Sequence, residues 1–473
     1  MIFSSYGFIL AFLPITLLGY YILQRYCSDA VTKLWLVAAS LTFYGLGNIH
    51  YVPILCFTVL FNYFVGSGMQ KCGERRILRV ALLTAGMTEN LGLLFYFKYT
   101  NFFLENVNRA AGTDFPMLKL ILPLGISFYT FQIIAYLVDT YREETEPCNL
   151  LDYMVFATFF PQLTVGPVIR YDERIEQLRS PDLHRIDTRN IMCGIMLFSI
   201  GCAKKVLLAD FMIAHAQNFY NVMGNGDFFQ AWGAVFSYTF AYYFDFSGYI
   251  DMALGLGLFF NIKLPINFNS PYKARNFADF WRRWNITISM FFNDYIFRSI
   301  FKFGNRVGKL ILATMVTFLV SGIWHGAGWH FILWGLVNGV FVCFANIMTL
   351  KRKKLPAFLA WALTFFFILV TRVLFDANNV TQVVNVYKSM FDLRPAFADF
   401  SQFLGLGRAY VGENLEVVLL MLAGAVICFF FKNSNEIVEK LEPKWYHAVF
   451  CGILLTVSLV CMTHVSQFLY FQF

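Results

Sequence analysis

Two short stretches of this chain hold the residue types that chemistry needs. The first is Asp279-Phe280-Trp281-Arg282-Arg283-Trp284-Asn285, aromatic and basic and closed by an amide. The second is Ser321-Gly322-Ile323-Trp324-His325-Gly326-Ala327-Gly328-Trp329, which sets an imidazole among glycines and tryptophans at the end of an apolar run. An imidazole titrates near neutrality, so His325 can take a proton as a general base. Asn285 cannot act as a base, but its amide can donate to a developing negative oxygen or hold a hydroxyl in place. The ordinary alternative for His325 is a core histidine bonded to a backbone carbonyl. A histidine held at depth in a membrane is nevertheless costly unless something uses or satisfies it.

Other polar residues cluster around these two. His330 lies five positions past His325, which is not the same helical face, and reads as an interfacial or tunnel-lining residue rather than a second base. Arg282 and Arg283 can hold the phosphates of a donor, or extend to lipid headgroups. Trp281 and Trp284 have the usual character of membrane-interface anchors. Asp245 and Asp251 sit in an otherwise apolar stretch, where buried carboxylates pair or mark a pathway; Arg282 or Arg283 are their candidate partners. Glu89, mid-span beside Asn90, is expected to be paired structurally. The chain has no P-loop, dinucleotide fingerprint, HExxH or cysteine cluster, so a catalytic metal is not expected.

The elements that position these residues must be membrane helices. Hydrophobic residues make up 58% of the 473 positions and charged residues 14%, too few of the latter to cover a water-facing surface. The long apolar runs do not alternate, which excludes transmembrane strands, and only helices satisfy their own backbone groups in lipid. The expectation is therefore an all-α, polytopic protein with about eleven to thirteen transmembrane or re-entrant helices, a count taken from runs of roughly 20 apolar residues. The net charge of +8 falls largely in short loops, as the positive-inside bias predicts, and does not signal nucleic-acid binding. Placing the loop of Lys71, Arg75, Arg76 and Arg79 in the cytoplasm puts the N-terminus outside. Placing Lys351-Arg352-Lys353-Lys354 there as well requires a re-entrant piece or an extra crossing between the two loops. The first apolar stretch lacks a basic leader and a small-residue cleavage site and is expected to stay as a helix. The ten cysteines are scattered without a CxxC pair and read as small core residues.

Two segments stand apart from the spans. Residues 169–189 interleave Arg170, Asp172, Glu173, Arg174 and Glu176 with apolar positions and predict an amphipathic helix on the membrane surface. Residues 263–306 are too polar to span and too aromatic for a free loop. They predict re-entrant backbone and an interfacial helix beginning near Asn276.

An ordered string of motifs resembles a known family. Pro123-Leu124-Gly125-Ile126-Ser127-Phe128, Phe160-Pro161-Gln162 and Val165-Gly166-Pro167 come first. Tyr243-Phe244-Asp245-Phe246-Ser247-Gly248-Tyr249, Asn267-Phe268-Asn269-Ser270-Pro271-Tyr272, Phe280-Trp281-Arg282-Arg283-Trp284, Trp324-His325-Gly326 and Trp334-Gly335 follow. In this order they resemble the membrane-bound O-acyltransferases, and more narrowly the bacterial branch that O-acetylates alginate. The resemblance is strongest over about 120–345 and loose beyond about 375, within what is expected to be a single membrane domain over 1–473. It implies a ring of helices around a central tunnel, with His325 as the family's characteristic histidine. The second active-site position, usually histidine in the bacterial branch and often asparagine in eukaryotic members, is Asn285. Asn338 and Asn293 stand where that branch often has histidine and arginine.

The chemistry implied is transfer of an acyl group, expected to be acetyl, from a cytoplasmic donor across the membrane to an exported polysaccharide or its carrier. The donor expected is acetyl-CoA or an acylated carrier protein, with no bound cofactor. Catalysis rests on His325 and Asn285, while Arg282, Arg283, Trp281, Trp284, Asp245 and His330 are the candidate substrate- and donor-binding residues. An extracytoplasmic esterase-like partner is expected to complete the transfer, and the location expected is a bacterial inner membrane. The alternatives are D-alanyl transfer to teichoic acid and a non-catalytic transporter or scaffold.

Overall fold

The structure is a computed structural model that describes residues 1–147, 149–301, 307–353, 355–462 and 468–469, so that Cys148 and Lys354 lie outside the described residues. The regular structure is helical, with one isolated antiparallel bridge between Phe268 and Trp284. Seven helices among the described residues are long and apolar enough to cross a membrane: Phe8–Tyr26, Ile49–Lys71, Arg76–Ala111, Thr188–Asn221, Val307–His325, Trp329–Leu350 and Ala357–Asp376. The pair Phe400–Glu413 and Leu415–Phe430, bent by 88°, makes an eighth if it counts as one span. Several other apolar runs form shorter pieces. Asp29–Gly45 has 17 residues and Ile126–Tyr141 has 16; at about 1.5 Å per residue, 16 residues fall short of a hydrocarbon core of roughly 30 Å. The run 150–168 breaks after Thr158, and Pro161 lies in the first turn of the short helix Phe160–Leu163.

The single domain expected over 1–473 meets a chain that packs as two compact units with interleaved segments. One comprises Met1–Ser199, Tyr249–Ile266 and Glu442–Cys451; the other comprises Ile200–Gly248, Asn267–Leu441 and Gly452–Phe473.

In the first unit the charged residues are tied down locally. Lys33 Nζ lies 2.7 Å from both Asp29 and Asp152. Arg79, expected in a basic loop, stands in the first turn of Arg76–Ala111 and bonds the Glu143 carboxylate and the Tyr141 carbonyl, fastening that helix to the end of Ile126–Tyr141. Glu89 accepts from Thr58 Oγ1 at 2.8 Å and Asn62 Nδ2 at 2.9 Å, as a structurally paired carboxylate should. The surface helix expected over 169–189 is only Tyr171–Leu178, and it does not lie free. Arg174 is fully buried, donating to Gln162 Oε1 with its guanidinium 4.9 Å from the Phe159 ring centroid. Tyr171, Ile175 and Leu178 are buried with Arg174 while Glu173 and Glu176 stay exposed, so the amphipathic reading holds except that one of its charges belongs to the buried face. Gly125 of the first motif has φ +74°, and a Cβ there would come within 2.6 Å of the Leu163 carbonyl oxygen, so geometry and space both demand glycine.

The second unit contains every residue of the two chemically suggestive stretches. Its segment from Asn267 to Phe301 answers the expectation of irregular backbone at membrane depth, because the loop braces itself. Asn267 O accepts from Ile286 N at 3.0 Å and Asn267 Oδ1 from Thr287 N at 3.0 Å, while Asn269 N donates to Arg283 O at 3.0 Å. Tyr272 OH donates to Thr239 O at 2.8 Å, and Trp361 Nε1 to Tyr272 O at 2.9 Å. These bonds pair backbone groups of the segment with protein, which is what non-helical chain inside a membrane protein requires. The helix start near Asn276 is real: its side chain accepts from Asp279 N at 2.8 Å and caps Phe277–Trp281.

Candidate active site

His325 is the last residue of the helix Val307–His325. The helix after it, Trp329–Leu350, packs back against it closely enough that a Cβ on Gly322 would lie 2.5 Å from Phe331 O and 3.1 Å from Gly335 Cα. The tight crossing fixes the end of the first helix and therefore the imidazole. His325 is 8% exposed and lies edge-on to three rings, Trp324 at 4.8 Å, Trp334 at 4.9 Å and Phe375 at 5.1 Å between centroids.

Asn285 comes from the braced segment. It sits between the short helices Phe277–Trp281 and Ile286–Phe292 in the left-handed region, at φ +44° and ψ +57°. Its side-chain Oδ1 is buried and has no hydrogen-bond partner among the described residues. Trp281 Nε1 is buried and unpartnered in the same sense. A buried polar atom left unpaired costs about 1–3 kcal/mol, so an acceptor and a donor left over on residues that line the same cavities are open to a ligand.

Two cavities meet at these residues, and both are walled by Trp281, Trp284, Asn285 and His325. The narrow one holds about 40 Å³ and is closed by aromatic rings together with Ile368, Thr371 and Arg372. The wide one holds about 440 Å³, within the range of small-molecule sites. Along it Thr314, Thr317, Ser321 and His325 follow each other at helical spacing, a stripe of hydroxyls ending in the imidazole. Ser289, Asn293 and Asn346 add polar groups, and a π-helical turn at Asn293–Phe297 contributes Phe297 to the wall.

The remaining expected residues divide. Trp284, expected as an interface anchor, is instead 7% exposed, stacked on Tyr242 at 6.0 Å and Phe280 at 5.6 Å. Trp281 stands edge-on to Trp334 at 5.4 Å. Both tryptophans are cavity walls, because the segment that carries them folds into protein rather than along the surface. Arg282 is exposed at the wide cavity, and its side chain has no hydrogen bond or ion pair among the described residues. Arg283 is engaged by Asp279 at 3.0 Å and the Asn269 carbonyl at 3.3 Å. His330 is buried with its ring 4.3 Å from that of Phe331 and lines neither of the two cavities.

Asp245 corrects an expectation. Its partner is neither Arg282 nor Arg283 but Lys205, at 2.7 Å, and its other oxygen accepts from Leu469 N at 2.9 Å. Lys205 also reaches Asp210 at 2.8 Å, so the charges close on each other away from both cavities. Arg283 was already taken by the carboxylate one helical turn before it. Sequence reasoning missed Arg372, which pairs with Asp376 at 2.7 Å and lies 3.7 Å above the Tyr242 ring in the narrow cavity. The signal was present: an Arg and an Asp four residues apart inside an apolar span.

The sequence profile of the membrane-bound O-acyltransferase family matches residues 75–390. This chain belongs to that family. Among curated relatives, a peptidoglycan O-acetyltransferase of Helicobacter pylori is 40% identical over an alignment covering 100% of this chain and 98% of that protein. A protein named as an alginate O-acetylase, from Pseudomonas aeruginosa, is 33% identical over 94% of this chain and 84% of its own length. A teichoic acid D-alanyltransferase of Bacillus subtilis is 31% identical over 54% of this chain and 68% of its own length. The chain is thus a multi-pass, all-α O-acyltransferase of the membrane. The D-alanyl alternative fits less well, since its relative aligns with only about half of the chain.

Proposed function

We propose that this membrane-bound O-acyltransferase moves acetyl groups from a cytoplasmic thioester, acetyl-CoA or an acylated carrier protein, to an exported glycan, with peptidoglycan as the acceptor. The observation that carries the reading is that His325 and Asn285 form the common wall of a roomy and a tight cavity. Attack on a thioester needs a base for the alcohol proton and polar help for the carbonyl. His325 takes the proton as the hydroxyl oxygen bonds the carbonyl carbon. As the C–S bond breaks, the imidazolium returns that proton to the departing sulfur, which leaves as a thiol. Asn285 steadies the carbonyl oxygen with its NH₂, or the attacking hydroxyl with Oδ1, neutral roles suited to a dry site. Arg282, exposed at the wide cavity, offers a cation to a donor's phosphates.

Peptidoglycan is favoured as acceptor because the relative of that name aligns over 100% of this chain and 98% of its own length. The location proposed is a bacterial cytoplasmic membrane, with the basic helix ends and turn that carry Lys71, Arg75, Arg76 and Arg79 inside and the N-terminus outside. An extracytoplasmic esterase-like partner is proposed to complete delivery to the polymer.

The test is base-releasable acetate on peptidoglycan, and base-releasable D-alanine on the other envelope polymers, in a deletion strain complemented with wild type or His325→Ala. Loss of acetate with His325→Ala at equal protein level is the expected result. Loss of D-alanine instead would move the reading to that transfer, and no change in either ester would leave a transporter or scaffold.

A further inference from the structure

The two cavities that meet at His325 and Asn285 differ about tenfold in volume, near 440 Å³ against near 40 Å³. A thioester donor has two unequal arms on its carbonyl carbon. The sulfur side continues into a long carrier, while the other side is the acyl chain alone. With the carbonyl carbon at the shared wall of Trp281, Trp284, Asn285 and His325, only the wide cavity has room for the carrier arm. The acyl chain must then enter the narrow one.

We propose that the narrow cavity is an acyl-length gauge, set for two carbons by Ile368, Thr371 and Phe375 of the helix Ala357–Asp376. This rests on the acetyl-transfer reading above and adds which residues hold the site to that acyl group. A dry engineered cavity of about 150 Å³ holds benzene, or roughly 25 Å³ per carbon. On that scale about 40 Å³ admits the methyl of an acetyl group and stops short of the three-carbon tail of a butyryl group. The walls resist enlargement. Phe375 is wedged between His325 at 5.1 Å and Trp334 at 5.3 Å, and Arg372 is held by Asp376 at 2.7 Å. Ile368, 6% exposed, lines the chamber away from these contacts and is the wall that can be cut back alone. Ile368→Ala removes three carbons, more than the two by which a butyryl group exceeds an acetyl group.

The experiment grows the complemented deletion strain with propionate and butyrate, measures the cellular acyl-thioester pools, and quantifies the short acids released from the envelope glycan by base. Wild type is expected to favour acetate over butyrate by at least about tenfold relative to those pools, the discrimination that a tight pocket gives per methylene. Ile368→Ala should narrow that ratio by about tenfold, and Ile368→Val should admit propionate more than butyrate. The wild-type ratio and the milder variant decide the matter even if Ile368→Ala folds poorly, since lower protein level cannot change a ratio of products. Butyrate and acetate incorporated equally by wild type, or ratios unmoved in folded variants, would overturn the gauge and leave acyl transfer standing. No chain-dependent acid of any length would overturn acyl transfer itself, and the gauge with it.

Discussion

The second unit buries two polar centres, and they are built on opposite principles. Around Lys205 opposite charges face each other, with Asp210 at 2.8 Å, Asp245 at 2.7 Å and Leu469 N on the other Asp245 oxygen. Beside His325, Asn285 Oδ1 and Trp281 Nε1 are buried without hydrogen-bond partners among the described residues, next to two cavities. A closed network holds helices together and has nothing left to offer a substrate. An open one sacrifices stability and keeps its hydrogen-bonding capacity for something that arrives later. Motif membership does not separate the two, because Asp245 and His325 both lie in the family string. Satisfaction does.

The comparison can be broken most directly at the base of one centre and the cation of the other. His325→Ala should lower the acylation rate by about 10²–10⁴-fold, the usual contribution of a positioned general base, with little change in the thermal midpoint of the detergent-solubilised protein. Lys205→Met should do the reverse. It leaves Asp245 buried without its cation, a loss of about 3–5 kcal/mol in stability, which Asp245→Leu in the same chain should partly restore. Equal thermal shifts for His325→Ala and Lys205→Met would sink the distinction between the centres. Asn285→Ala tests the open centre again, with an expected loss of about 10²–10³-fold in turnover if its amide meets the reacting carbonyl. The smallest effect belongs to a third kind of pair, half in solvent. Arg283→Ala removes the Asp279 contact at 3.0 Å, where both side chains are partly exposed, and should cost at most about 1 kcal/mol in a chemical or thermal melt.

What the sequence made legible follows the same division. His325, Asn285 and the two tryptophans were findable because their types and order are unusual within an apolar chain, and the structure brings all four to one wall. The all-α membrane class followed from continuous apolar runs. Partners were not legible. Lys205 lies forty positions before Asp245, and nothing local selects it over Arg282 or Arg283; packing does. The helix at Tyr171–Leu178 showed its charge pattern, but a pattern cannot say whether a given charge meets water or protein, and Arg174 meets protein. The narrow cavity takes Phe375 and Ile368 from a span that bears no motif, so only the fold could add them, whereas Arg372 with Asp376 one turn on was legible in that span.

The backbone at Asn285 has a consequence for how this site can change over evolutionary time. At φ +44° and ψ +57° the position excludes branched and bulky residues, and the types that visit this region most readily besides glycine are asparagine, aspartate and histidine. Apart from glycine, these are also types able to assist at a carbonyl. Steric selection therefore acts as a filter before any selection on activity. Asparagine and histidine codons differ by one base, so a lineage can exchange the two at this site in a single step without refolding the turn.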